Sequence, residues 1–382
     1  MKRIIIAGAG QAGISALKPL GRYASDAHED EIIIFDRNDY TTMMPSLPDL
    51  ASGTLKQSVL KLNIRKLLPK GVEFINEEIK KIDLDTRIVA TGSRDYRYDY
   101  LIFCPGSVTN FYGFDQHLDQ VFVLDSLQKA LMLKEKFDKY LSGRNSCTLV
   151  ISGAGFTGIE AACFLGAHAR AKSKPLSVVL VEKSDKVLGS MPEKVSGYVD
   201  SLMSDLMFRV VTSSSIKSFD GGTITLETGE AFKDAFFVWT SGSKREIEDI
   251  SGKFSTLPDG RLIVNGFLQL PEHEDVFVAG DGAAIKSRHG YLRKGVAFSV
   301  GSGRRASRNV VRSLENRRLR KFRPVDIGWV IPLYPSSIGK VLGVTLNGRL
   351  GLSFSYLTCA YRTHSLINRI RYVLMGLKSL II

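Results

Sequence analysis

Two glycine-rich loops of one design constrain this 382-residue chain more than any other feature. Ile4-Ile5-Ile6-Ala7 leads into Gly8-Ala9-Gly10-Gln11-Ala12-Gly13, and the next apolar run, Ile32-Ile33-Ile34-Phe35, ends at Asp36. Leu149-Val150-Ile151-Ser152 leads into Gly153-Ala154-Gly155-Phe156-Thr157-Gly158, and Val178-Val179-Leu180-Val181 ends at Glu182. The acid follows the last glycine by 23 residues in one copy and by 24 in the other. The first glycine permits a tight turn, the second admits a pyrophosphate to the backbone, and the third lets helix and strand pack closely. The pyrophosphate then meets the unpaired N–H groups of a helix N-terminus. The acid accepts from ribose hydroxyls. A carboxylate at Glu182 repels a 2′-phosphate and so favours NADH over NADPH, a preference that the adjacent Lys183 weakens.

A repeat of this kind predicts an α/β chain with two Rossmann-like, three-layer dinucleotide-binding domains. A protein that holds two dinucleotides is suited to pass electrons between them. Each βαβ unit is followed by a strand that stops at small residues and glycine. These are Tyr100-Leu101-Ile102-Phe103 before Cys104-Pro105-Gly106, and Phe236-Phe237-Val238-Trp239 before Thr240-Ser241-Gly242. Ser126 to Leu141 reads as a helix leading into the second unit. Asp275-Val276-Phe277-Val278-Ala279 ends at Gly280-Asp281, read as a further dinucleotide contact or as an aspartate capping a helix that starts soon after.

Composition sets the outer limits. The chain is 44% hydrophobic and 24% charged, as expected of a folded globular protein of two or three domains. Its four cysteines, Cys104, Cys147, Cys163 and Cys359, form no C-x-x-C. That spacing argues against a zinc site or thioredoxin-like dithiol, predicts no metal, and fits a reducing cytosol. The N-terminal apolar run is too short for a signal peptide, and no stretch has the apolar length of a membrane span. The net charge of +13 suits nucleic acid, an anionic membrane or acidic cofactors, but no nucleic-acid motif accompanies it. Basic residues are densest from Arg304 to Arg323 and in the tail.

Taken together, the loops, their acids and Gly280-Asp281 resemble the two-dinucleotide-binding flavoproteins. That family includes glutathione reductase, ferredoxin reductases, sulfide:quinone oxidoreductase and type II NADH dehydrogenase. The resemblance implies FAD at Gly8, Gly10, Gln11, Ala12, Gly13, Asp36, Arg37, Pro45, Gly106, Gly280, Asp281 and Ala297. It implies NADH at Gly153, Gly155, Phe156, Thr157, Gly158, Glu182 and Gly242. It places an FAD domain at 1–112 and 266–325, an NADH domain at 113–265, and a quinone-site and membrane-anchoring region at 326–382.

The stretch from Asn38 to Pro48 has no cysteine, which excludes the redox dithiol that disulfide reductases carry there. Tyr40 through Gly53 instead is similar to the type II NADH dehydrogenase segment that lies along the flavin. Gly158-Ile159-Glu160 matches that family's Gly-x-Glu, which implies a catalytic role for Glu160 in the proton or hydride step; a first-turn glutamate complementing the helix dipole is the alternative. At the family's Ala-Gln-x-Ala-x-x-x-Gly helix start, Val296, Ala297 and Ser299 stand at the small and glutamine positions, and the glutamine is missing. Cys163 and Cys359 fall near the cysteines of sulfide:quinone oxidoreductases, so sulfur chemistry is a rival expectation. A nucleotide-binding redox sensor with poor turnover is another.

In the tail, Leu366, Ile367, Ile370, Val373, Leu374, Leu377, Leu380 and Ile381 form one stripe at helical spacing, accompanied by Arg362, Arg369, Arg371 and Lys378. No acid follows Asp326. An apolar face with cationic flanks predicts a helix lying in an anionic membrane surface; packing on the core or on a second subunit is the alternative. The combined expectation is a peripheral membrane flavoenzyme at the cytoplasmic face, a possible homodimer, oxidising NADH and reducing a quinone.

Overall fold

Ile4, Ile5 and Ile6 are all fully buried, which only a strand covered on both faces requires. Strand Arg3–Ala7 lies between Glu31–Phe35 and Tyr100–Phe103, parallel to both, with Ile5 opposite Ile33 and Leu101. Glu73–Ile75 and His273–Val278 extend the parallel set, and Gln269–Leu270 adds an antiparallel edge to make six strands. The second run behaves likewise. Phe122–Val123, Phe236–Trp239, Cys147–Ser152, Leu176–Val181 and Arg209–Val211 lie in that order as a five-stranded parallel sheet. The expected pair of Rossmann-like sheets is present.

The computed structural model describes residues 1–26, 29–189, 191–247, 249–288 and 290–381. Among them the helices run in chain order as α1 (Gln11–Ser25), α2 (Leu47–Ala51), α3 (Gln57–Leu60), α4 (Leu127–Ser142), α5 (Phe156–Ala171), α6 (Glu193–Asp205), α7 (Val296–Leu314), α8 (Gly348–Arg362) and α9 (Leu366–Ser379). Ser126 caps α4, its hydroxyl accepting from Lys129 N–H.

These elements divide into two compact units, residues 1–42, 61–108 and 243–326 in one, and 43–60, 109–242 and 327–382 in the other. The boundaries differ from those drawn on the sequence, for local physical reasons. The chain returns to the first unit at 243 rather than 266, because Ile250–Ser251 pairs in parallel with Ile82 and Asp83. Residues 43–60 leave it, because α2 packs against α4 and α5. Residues 327–382 are not separate: α8 packs on strand Gly328–Leu333, whose Trp329 meets Phe156 of α5, and Tyr334 stacks on Phe164.

In the first unit α1 and α7 approach closely at a glycine. A Cβ on Gly303 would stand 2.1 Å from the carbonyl oxygen of Ala12, and backbone cannot yield there as a flexible side chain can. Gly303→Ala is therefore expected to cost about 1–3 kcal/mol, read as a lower urea midpoint. A midpoint equal to that of the parent would show that the helices separate without strain.

Candidate functional site

Each loop is held by a carboxylate from the next strand. In the first, Ala9 N–H donates to Asp36 Oδ2 at 2.8 Å, and Asn38 N–H donates to Asp36 Oδ1 at 2.9 Å. Gly8 N–H closes the turn on the Phe35 carbonyl, with Gly8 at φ +103°. In the second, Ala154 N–H donates to Glu182 Oε2 at 2.8 Å, and Ser184 donates through N–H and Oγ to Oε1. Gly153 N–H bonds to the Val181 carbonyl, with Gly153 at φ +99°. Burial pushes Asp36 above the usual carboxylate range, against the opposing pull of both backbone donors.

The glycines divide the work alike in both copies. A Cβ on Gly13 would lie 1.9 Å from the Gly8 carbonyl oxygen, and one on Gly158 2.0 Å from that of Gly153. Strand and helix touch at these points. A Cβ on Gly10 or Gly155 would instead meet nothing within 4 Å. Gly10 and Gly155 are also the N-caps of α1 and α5, and neither helix start receives a side-chain cap. Open space above bare N–H groups is what a pyrophosphate requires, so both loops fit a dinucleotide. Gly106 and Gly242, which end the two equivalent strands, share φ +69°.

The other residues expected at the first site lie mostly in the first unit. Gln11 donates from Nε2 to the Thr42 carbonyl, Ala12 is buried at the start of α1, and Arg37 is paired with Glu246. Gly280, at φ +78°, opens a single 3-10 turn rather than a helix. Asp281 therefore caps no adjoining helix. Its Oδ1 accepts from Gly295 N–H at 3.2 Å and Ser299 Oγ at 3.1 Å, at the start of α7, whose first turn contains Ala297. Two residues escaped sequence reasoning. Ser302 is fully buried and its Oγ accepts from Gly280 N–H, while Lys294 donates to the carbonyl and hydroxyl of Ser243. No local motif marks either. Pro45, also expected at the first site, belongs to the second unit, in a 3-10 turn before α2.

In the second unit, Phe156 and Thr157 open α5 and Glu160 lies one turn in. Glu160 keeps some solvent-accessible surface and makes no hydrogen bond or ion pair among the described residues. Protein surrounds its carboxyl, and this desolvation, with the nearby Asp49 carboxyl, raises it well above the usual range. Cys163 and Cys359 are buried, and desolvation pushes their thiols up to about 12 and about 11. Neither is a thiolate at neutral pH.

Helix α9 is turned inside out. Asn368, Tyr372, Gly376 and Ser379 face the protein. Leu366, Ile367, Ile370, Leu374, Leu377 and Leu380, nearly the whole predicted stripe, are exposed, Leu366 at 70% and Ile370 at 54%. No helix among the described residues is long and apolar enough to cross a membrane.

Residues 2–303 match the family described as pyridine nucleotide-disulphide oxidoreductase. The chain is similar to the type II NADH:quinone oxidoreductase of Staphylococcus aureus, with 25% identity over 379 residues covering 91% of this chain and 92% of that protein. In fold it resembles NDH2 from Plasmodium falciparum, solved in complex with NADH, at TM-score 0.86, 15% identity and 99% and 98% coverage. It also resembles the sulfide:quinone oxidoreductase of Aquifex aeolicus, at TM-score 0.78, 17% identity and 94% and 90% coverage.

If Glu182 both latches Ala154 and accepts from a ribose, Glu182→Ala is expected to weaken NADH binding about 10-fold. An unchanged dissociation constant in a fluorescence titration would contradict that role.

Proposed function

The chain belongs to the pyridine nucleotide-disulphide oxidoreductase family, and from that membership we propose an FAD-dependent enzyme that oxidises NADH and reduces a membrane quinone without pumping protons. The observation that carries the reading is the pair of carboxylate-latched loops, each with open space over its second glycine. One nucleotide cradle would serve a binding protein or a single-substrate enzyme. Two of identical build suit electron transfer between nucleotides.

FAD, when bound, supplies the centre that accepts hydride from NADH and hands two electrons to the quinone. Gly8, Gly10, Gly13 and Asp36 hold its nucleotide end, with Gly280, Asp281 and the start of α7 contributing further contacts. Gly153, Gly155, Gly158 and Glu182 hold NADH. Burial and the nearby Asp49 favour the protonated form of Glu160, one turn into the helix that starts at the NADH loop, which suits proton exchange during the reaction. The named activity of the Staphylococcus aureus relative, matched along nearly the whole chain, supports the choice of acceptor.

Sulfur chemistry finds less support. A sulfide oxidoreductase needs reactive thiolates, and Cys163 and Cys359 are enclosed and protonated. Purified protein in anionic vesicles should therefore couple NADH oxidation to quinone reduction. Flavin reduced by sulfide but not by NADH would favour the rival enzyme, and negligible quinone turnover would favour a sensor.

For the membrane, an outward apolar stripe on α9, flanked by Arg362, Arg369, Arg371 and Lys378, supports a helix lying in the headgroup region of the cytoplasmic leaflet. Ile370→Asp with Leu374→Asp changes only exposed positions and should leave the fold intact. It should lower vesicle binding about 100-fold or more, since each side chain gains about 1.5–3 kcal/mol on leaving water. Co-sedimentation equal to the parent's would remove α9 as the anchor and leave it as a subunit contact.

A further inference from the structure

Asp49 is a buried carboxyl with no ion-pair partner among the described residues. It is 3% exposed in α2, and its Oδ1 accepts from the phenol of Tyr356 on α8 at 2.6 Å. Among the described residues, the ionisable groups that interact with it are acids or weak acids. Glu160 comes from α5, Tyr356 and Cys359 from α8, and Tyr372 from α9. On the α4 side, Lys134 reaches Gly53 but is paired with Asp138, as are Lys172 and His168. Arg362 of α8 acts on the Cys359 thiol, and two neighbouring carboxyls without an ion-pair partner among the described residues disfavour each other's ionisation. Burial pushes Asp49 up to about 7, while the Tyr356 hydrogen bond pulls it down. A buried acid of this kind has no stabilising role to explain it, because an apolar residue would pack there at less cost.

Reducing a quinone to its quinol takes two electrons and two protons. The hydride of NADH brings both electrons and one hydrogen nucleus, so one further proton must come from water. We propose that Asp49, hydrogen-bonded by Tyr356, holds that proton for the acceptor and releases it through the adjoining Glu160. The Glu160 carboxyl O–H bond breaks as an O–H bond to the reduced acceptor forms, and the Asp49 O–H bond then breaks as its proton restores the O–H bond of Glu160. Tyr356 keeps its own proton and donates to the carboxylate left behind. Water then reprotonates Asp49, closing the cycle with no change in the protein.

This rests on the quinone reading above. The test compares the parent with Asp49→Asn, which keeps shape and hydrogen-bond capacity, and Tyr356→Phe, which removes only the phenol oxygen. Because the protonated form is the active one, quinone-dependent turnover of the parent should fall as pH rises through about 7. Tyr356→Phe should move this limb to higher pH, because the carboxylate loses its donor. Asp49→Asn should abolish the limb and lower turnover about 100-fold, with anaerobic reduction by NADH slowed less. Independently of turnover, infrared spectra of the parent below pH 7 should show a protonated-carboxyl band that Asp49→Asn lacks. An unmoved pH limb in both variants, or no such band, overturns the proposal. Should NADH reduce the flavin while no quinone reoxidises it, the reading above fails instead, and the infrared band alone decides whether Asp49 holds a proton.

Discussion

Everything assigned to this chain depends on one hydrogen bond made twice, from the backbone N–H after a loop's first glycine to the carboxylate ending the next strand. Ala9 to Asp36 and Ala154 to Glu182 have the same length, 2.8 Å. A hydrogen bond to a charged acceptor is worth about 1.5–3 kcal/mol, enough to hold a glycine-rich turn that would otherwise sample many conformations. The latch fixes the loop while the following helix keeps its first N–H groups bare. It also orients the acid, whose remaining lone pairs would accept from ribose hydroxyls. Stability and binding therefore meet in a single side chain.

Much of this was legible in the sequence because its signals are local. Runs such as Ile4-Ile5-Ile6 can be satisfied only by a strand covered on both faces, and a glycine at a fixed offset states where backbone must meet backbone. What was not legible depends on contacts made at long range. Nothing around Met43 to Leu60 announces that α2 packs against α4 and α5. Asp281 looks like a cap for the residues just after it, yet its partners are Gly295 and Ser299. Asp49 and Tyr356 are 307 residues apart, so their hydrogen bond leaves no trace in either neighbourhood.

The C-terminal helix separates pattern from placement. Periodicity in 366–381 establishes one apolar face but not the direction in which it points. Here the inward face is made of Asn368, Tyr372, Gly376 and Ser379. Gly376 has Ser353 of α8 against it, and the Tyr372 phenol donates to Ser46 Oγ at 3.0 Å. Small and hydrogen-bonded residues thus fix the helix while its leucines and isoleucines stay in solvent. Burying those side chains in a lipid surface recovers the free energy that their exposure in water costs.

The central claim is that two nucleotides are held by one chain and that reducing equivalents pass from one to the other. Anaerobic titration of the purified protein with NADH, followed in the visible flavin absorption band, tests it most directly. Yellow protein whose band bleaches with stoichiometric NADH is the predicted result. Protein that takes up no FAD, or whose bound flavin NADH leaves oxidised, would contradict it.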